Sequence, residues 1–512
     1  MRCQHCNQNE ATTFIKRNIN GHKEELHLCS ECAKELGVMD EFRMPTMSEM
    51  FGDTFLGNFL GAGVAAMNSL AGVDRCRSCG SSFNDIVQSG RMGCADCYDK
   101  FEEKLEPSIR KIHGKTKHIG KFVSYSEDNE VKDSAKEESV SQEKSELESL
   151  QEQMKAAINE QRFEDAAVIR DKIKEIQEGK MSKWYNAQGN NSDVVMSSKI
   201  RLARNLADAP FPSRMSNEIR KSVCKKIFAA VKNSPVAGEF DLIELQSEND
   251  LKRISMAEQG VISPEFAKQN NFGTVLVSKN EDVSIMLCEE DHIRLSVFAA
   301  GQNLEEAYQK ADKLDDILID NLKIAFSERL GFLTSNPMNL GTGLKASFIL
   351  HLPAISAKGM ILSLTNMVSK LGFDVKPVYS DESDFYELSN RITLGITEKN
   401  AIDNLNSICE QIVKQERTFR QELIEYEDFE DKIFRAMGTL KMARKLTSKE
   451  FYSLISLVRL GISMGSFDEN YETVSKLLHE VGTATIMSAS DEGLTVDDTD
   501  KIRAQYVRES LS

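Results

Sequence analysis

Positive charge in excess is the first thing this chain lacks. Its 512 residues carry a formal net charge of −16 and a pI near 5.2, which excludes a general nucleic-acid binder with a basic face. The first residues hold no signal-peptide pattern, and there is no Gly-x-x-x-x-Gly-Lys phosphate loop. Cysteine is nearly absent after residue 97: only Cys224, Cys288 and Cys409 follow, scattered as reduced thiols are, which points to the cytoplasm. An uncharged stretch long enough to approach a membrane span occurs once, at Thr54–Val73. Its Gly57, Gly61, Gly63 and Gly72, with Asn58, Asn68 and Ser69, make it a glycine-rich linker instead.

What is present begins with four Cys-x-x-Cys clips. Cys3, Cys6, Cys29 and Cys32 form one unit, and Cys76, Cys79, Cys94 and Cys97 a second. A two-residue spacer lets both sulfurs of a clip reach one ion, so each unit offers Zn²⁺ its four soft ligands. No thioredoxin-like strand-and-helix pattern surrounds them, so a redox role is disfavoured. Val123–Ser145 is Ser, Glu, Lys and Asp with little to bury, the composition of a disordered linker. Leu147, Leu150, Met154 and Ile158, then Phe163, Ala166, Ile169, Ile173 and Ile176, recur at helical spacing around a turn at Asn159–Arg162. Met181-Ser182-Lys183-Trp184 then reads as a fresh start, carrying the chain's single tryptophan, as though two genes were joined.

In the second half, Ser284–Cys288 and Ile293–Val297 read as strands around an acidic connection, Glu289-Glu290-Asp291-His292. Residues 194–205 suit a strand passing into a helix-like run. Lys199 with Arg201, Arg294, Lys345 and Lys376 come from four regions, at strand ends or in loops, and together suit a polyanion such as the triphosphate of ATP.

The spelling is narrower than the pattern. Met154-x-x-Ala157, Phe163-Glu164-Asp165-Ala166-Ala167 and Arg170-Asp171-Lys172-Ile173 resemble the UVR hairpin, and residues 1–178 as a whole resemble the McsA-type zinc-binding activators. Ser197-Ser198-x-Ile200-Arg201-Leu202-Ala203-Arg204-Asn205, Glu289-Glu290-Asp291-His292-Ile293-Arg294, Gly341-Thr342-Gly343-Leu344 and Leu350-His351-Leu352-Pro353 resemble the McsB-type bacterial protein-arginine kinases of the phosphagen-kinase superfamily.

The resemblance implies a multidomain α+β chain. Its zinc units would span 1–40 and 75–121, separated by a linker at 41–74. A charged linker at 122–144 and a helical hairpin at 145–178 follow. A catalytic antiparallel sheet flanked by helices would occupy 185–415, and a helical dimerisation region 416–512. It implies Glu290 as the carboxylate that orients an arginine guanidinium and takes its proton, with Asp381 as a second acid. Lys199, Arg201, Arg294, Lys345 and Lys376 would hold ATP with Mg²⁺, and Asp500 with Arg503 would read phosphoarginine. Implied partners are proteins with exposed arginine, a Clp-type chaperone, a stress repressor and a second copy of the chain, with no membrane and no direct nucleic-acid contact.

The departures fall inside the site. Lys stands at 199, 345 and 376 where the family has Arg, Asn336 replaces a cysteine, and Gly260 a histidine. Pro377–Asp384 replaces a glycine-rich loop, and Thr499-Asp500-Lys501-Ile502-Arg503-Ala504 lacks the family's first arginine. Lysine keeps the charge but loses the planar fork that grips phosphate twice. A catalytically impaired adaptor is therefore the alternative to an ATP-dependent protein-arginine kinase. A kinase for free guanidine metabolites is a third reading, which leaves the activator-like half without a purpose.

Overall fold

The computed structural model describes residues 74–123 and 183–511, apart from short breaks at 270–272, 381–382, 425–426 and 491–492, together with the two strands of a hairpin near the N-terminus. That hairpin pairs β1 (Thr13–Ile19) with β2 (His22–Leu28) antiparallel. Cys3, Cys6, Cys29, Cys32, the glycine-rich and charged linkers, the UVR-like hairpin and Asp381 lie outside the described residues. Residues 74–86 and 91–512 form a compact unit of their own.

Its centre is an eight-stranded antiparallel sheet in the order β11-β12-β10-β3-β7-β6-β5-β4. The strands are β3 (Val195–Arg204), β4 (Phe240–Glu244), β5 (Thr274–Ser278), β6 (Val283–Leu287), β7 (Ile293–Ala300), β10 (Leu344–His351), β11 (Phe373–Pro377) and β12 (Phe385–Asn390). A two-residue pair, β8 (Phe326–Ser327) with β9 (Gly331–Phe332), leads into the loop before β10. The helix-like run expected before residue 205 continues instead as β3. Its alternation puts Ile200 and Leu202 on one face and Lys199 and Arg201 on the other, which is a strand period and not a helical one.

The apolar face supports helices. Leu304–Asn321 buries Leu304, Ala307, Ala311, Leu314 and Leu318, spaced three or four apart, against β3 and β7. Burying each leucine is worth about 2 kcal/mol. The same helix presents Asp315 to Arg204 at the end of β3, with Nε to Oδ1 at 2.8 Å and Nη2 to Oδ2 at 2.9 Å. Arg204 is buried under Phe332, its guanidinium carbon 3.5 Å from the ring centre, and Nη1 donates to the carbonyls of Ala203 and Thr342. Gly343 packs against that guanidinium with φ +64°, so an added Cβ would both strain the backbone and strike Arg204.

Beyond the sheet, Glu398–Ile424, Glu427–Met442, Ser448–Ser463, Tyr471–Glu480 and Val496–Ser510 make the C-terminal part helical. The last helix opens on a capping box between Thr495 and Asp498. Among the described residues no helix is long and apolar enough to cross a membrane.

The four-cysteine segment from residue 74 is seated on the loop that precedes β10. Met92 N–H donates to Ser335 O (2.8 Å), Phe211 N–H to Gly93 O (2.8 Å), and Tyr98 Oη to Thr334 O (2.8 Å). Farther along, His113 Nε2 bonds Pro337 O (2.8 Å), and Lys121 ion-pairs with Asp312, Asp315 and Asp316. Tyr98 and His113 are buried by this packing.

Candidate active site and zinc centre

Strand register alone collects the cations. Arg201 is paired with Lys345 across β3 and β10, Lys199 with Ser347, and Arg201 with Ser296 of β7, two residues from Arg294. Lys376 faces Glu387 across β11 and β12, and Glu387 faces Ile349, on the Lys345 side of β10. Directly paired residues share a face, so all five cations stand on one side of the sheet. They line one cleft of about 1590 Å³ together with Glu289, Glu290 and Glu387. Arg294, Lys345 and Lys376 lie one residue from the ends of their strands, as expected, whereas Lys199 and Arg201 sit in the middle of β3. Lys376, expected in a connection, belongs to β11 and ion-pairs with Asp374 at 2.9 Å.

Burial sets the charge state of this floor. It pushes Lys199 down to about 8 and Arg201 down to about 10, with the neighbouring cations adding to the effect. Lys345 is lowered for the same reason. Burial would raise Glu387, but Lys345, Lys199, a hydrogen bond from Ser347 and Arg201 together hold it below the usual carboxylate range. Glu387, Glu289 and Glu290 thus offset only part of the charge of the five cations, leaving a net positive cleft suited to a polyphosphate.

The acidic connection between β6 and β7 is not a solvated turn. Cys288 turns the chain at φ +60°, and its N–H donates to His292 O at 2.9 Å. Glu289 ion-pairs with Arg294 at 2.6 Å. Asp291 accepts from Asn205 Nδ2 and Ser335 N–H, both at 2.6 Å, and burial raises its carboxyl. His292 accepts from Leu206 N–H at Nδ1 and donates from Nε2 to Pro210 O, and burial drops it to about 4. Three members of the turn therefore hold structure, and Glu290 is left facing the cleft.

The Glu290 carboxylate accepts from Asn336 Nδ2 at 3.2 Å and from Asn339 Nδ2 at 3.3 Å. Asn339 in turn accepts from Arg201 at 3.4 Å, linking the acid to the cationic floor. Glu290 also forms an ion pair with Arg91 of the four-cysteine segment. Burial lowers the Arg91 guanidinium, opposed by the charges of Asp291 and Glu289. Sequence reading missed Asn339, Glu387 and Arg91. Nothing in sequence joins position 91 to position 290.

Asp500 and Arg503 are engaged internally. Arg503 is fully buried, donating to Val481 O, Leu446 O, Asp500 Oδ1 and Thr483 Oγ1 at 2.7–2.9 Å. The pair braces the last helix where a phosphoarginine-reading pair was expected.

The second cysteine unit meets the demands of zinc. Among the described residues, Cys76, Cys79, Cys94 and Cys97 bring their sulfurs within 4.8 Å of one another. Sγ separations of 3.5 Å (Cys76–Cys94), 3.4 Å (Cys79–Cys97) and 3.7 Å (Cys94–Cys97) approach the edge of about 3.8 Å that a tetrahedron of 2.3 Å Zn–S bonds requires.

Four family models match separate stretches of this chain. Residues 222–419 match the ATP:guanido phosphotransferase C-terminal catalytic domain, and 426–512 the protein-arginine kinase McsB C-terminal domain. Residues 74–120 match the McsA central zinc-finger domain, and 144–179 the UvrB/uvrC motif. The protein-arginine kinase of Clostridium kluyveri is 39% identical over 342 residues, 65% of this chain and 99% of that one. That of Caldanaerobacter subterraneus subsp. tengcongensis is 36% identical over 330 residues, 63% of this chain and 98% of that one. Among solved structures, the duplicated taurocyamine kinase from Schistosoma mansoni with bound transition-state-analogue components shares the fold, with TM-score 0.51 and 18% identity, over 78% of this chain and 50% of that one. On the near-complete span of those relatives, the chain belongs to the protein-arginine kinase family, with a McsA-type zinc finger on its N-terminal side.

Proposed function

We propose that the chain transfers the γ-phosphoryl group of ATP to arginine side chains of proteins, with its zinc-binding activator carried in cis. The observation behind this reading is Glu290, a carboxylate held by two asparagines at the rim of a cleft floored by Lys199, Arg201, Arg294 and Lys345. A guanidinium has a pKa above about 12 and delocalised lone pairs, so it attacks phosphorus poorly unaided. Glu290 aligns it, localises its charge and accepts the proton as the N–P bond forms. The cationic floor steadies the phosphates, which is most of what phosphoryl transfer asks of a protein. Mg²⁺ bound with the nucleotide would supply further neutralisation of the phosphate charge.

Asp381 as a second acid, the helical region from 416 as a self-association surface, a Clp-type chaperone and a stress repressor as partners, and a cytoplasmic location belong to this reading. The domain divisions given above go with it. The rival reading, a nucleotide-binding adaptor, draws on lysine at 199, 345 and 376, where single-point contacts replace arginine forks. Incubation with ATP, Mg²⁺ and a disordered arginine-rich protein separates the two. Acid-labile phosphoarginine that disappears in Glu290→Gln supports the kinase; tight ATP binding without transfer supports the adaptor.

A further inference from the structure

The guanidinium that Glu290 holds in this structure belongs to the chain itself. Arg91 lines the same cleft as Lys199, Arg201 and Arg294, and its Nη1 meets Glu290 Oε1. Its backbone is pinned on the C-terminal side by two bonds to the catalytic half, Met92 N–H to Ser335 O and Phe211 N–H to Gly93 O. Gly93 has no room for a side chain, because a Cβ there would run into Ser81 and Cys79. The second clip of the cysteine cluster, Cys94 and Cys97, begins immediately beyond the pinned residues, and Tyr98 beside it bonds Thr334 O. A segment held by backbone bonds, with an arginine delivered to the acid, is how a protein substrate would be presented.

Resting on the kinase reading above, we propose that Arg91 is a resident acceptor: it fills the arginine subsite and is itself phosphorylated. An Nη lone pair of Arg91 forms the N–P bond, the bond from the γ-phosphorus to the β–γ bridging oxygen breaks, ADP leaves, and the guanidinium proton passes to Glu290. Burial already lowers the Arg91 guanidinium, which favours loss of that proton. The added negative charge would then oppose Glu290, Glu289 and Asp291, so the modified segment is repelled and the subsite opens to other arginines.

The test uses the full chain with ATP and Mg²⁺, with and without the arginine-rich protein, followed by peptide mass spectrometry under conditions that keep N–P bonds. Phosphoarginine at position 91, forming at a rate unchanged over a hundredfold range of protein concentration and lost in Arg91→Lys, is the expected result. Phosphoarginine on the added protein with position 91 unmodified overturns the resident-acceptor proposal and leaves the kinase reading standing. Phosphoarginine on neither overturns both. A lower KM for the added protein in Arg91→Ala gives the second readout, expected at roughly tenfold for a displaced internal competitor; an unchanged KM counts against occupancy of the subsite.

Discussion

Lys199 carries the sharpest consequence of the buried cationic floor. Its ammonium lies 4.8 Å from the centre of the Phe298 ring, and burial, with the charges of Arg294, Arg201 and Lys345 adding to it, depresses its pKa to about 8. The sign follows directly. Below that value the site offers its charge to phosphate, and above it the charge is gone before nucleotide arrives. A bound triphosphate restores the proton, so binding above pH 8 draws in one proton. At pH 9 about a tenth of free sites hold the charge, so nucleotide affinity falls roughly tenfold from pH 7, about 1.4 kcal/mol. Arginine keeps its charge throughout this range. Lys199→Arg should therefore bind a non-hydrolysable ATP analogue with an affinity that varies by less than about twofold over the interval. Calorimetric titration at several pH values, in buffers of different ionisation enthalpy, reads both the affinity and the proton uptake. Parallel pH profiles for the wild type and Lys199→Arg would refute the reasoning.

Other expectations follow from the same geometry. Asp315→Ala leaves Arg204 buried with only carbonyl partners and should cost about 3–5 kcal/mol in urea unfolding. Replacing both residues with apolar ones should cost less than the sum of the single changes. Stripping zinc with a chelator removes on the order of 10 kcal/mol of binding energy from the second cysteine unit. Hydrogen exchange should then speed up at Met92 and Phe211, whose amides bond across to the catalytic half and to the zinc segment respectively. Glu290→Gln should abolish transfer while changing nucleotide affinity less than about threefold, because Glu290 stands on the acceptor side of the phosphate floor.

Much of the fold was legible because strand patterning is local. The Val283–Leu287 and Ile293–Ala300 hairpin follows from β-branched runs on either side of an acidic connection. Alternation within β3 was legible too, but the basic residues drew attention away from it. Lys199 and Arg201 are charged because they line the cleft, so their polarity imitates an amphipathic helix within a strand whose other face is buried. That the cations meet could be argued from charge chemistry, but which of them are neighbours is decided by register, a long-range property. Glu387 was hidden for the same reason: its role exists only opposite Lys376 and beside Lys345. Arg503 shows the converse. A motif promised a ligand, yet four internal acceptors claim its guanidinium. Arg91 lies nearly two hundred residues before Glu290, and only the docking of the zinc segment joins them.

The most direct test of the convergent site is a crystal of the chain grown with MgADP. The phosphates are expected against Lys199, Arg201, Arg294 and Lys345, with Glu290 turned to the acceptor side. Nucleotide bound on another surface, with those four side chains left in solvent, would contradict the account.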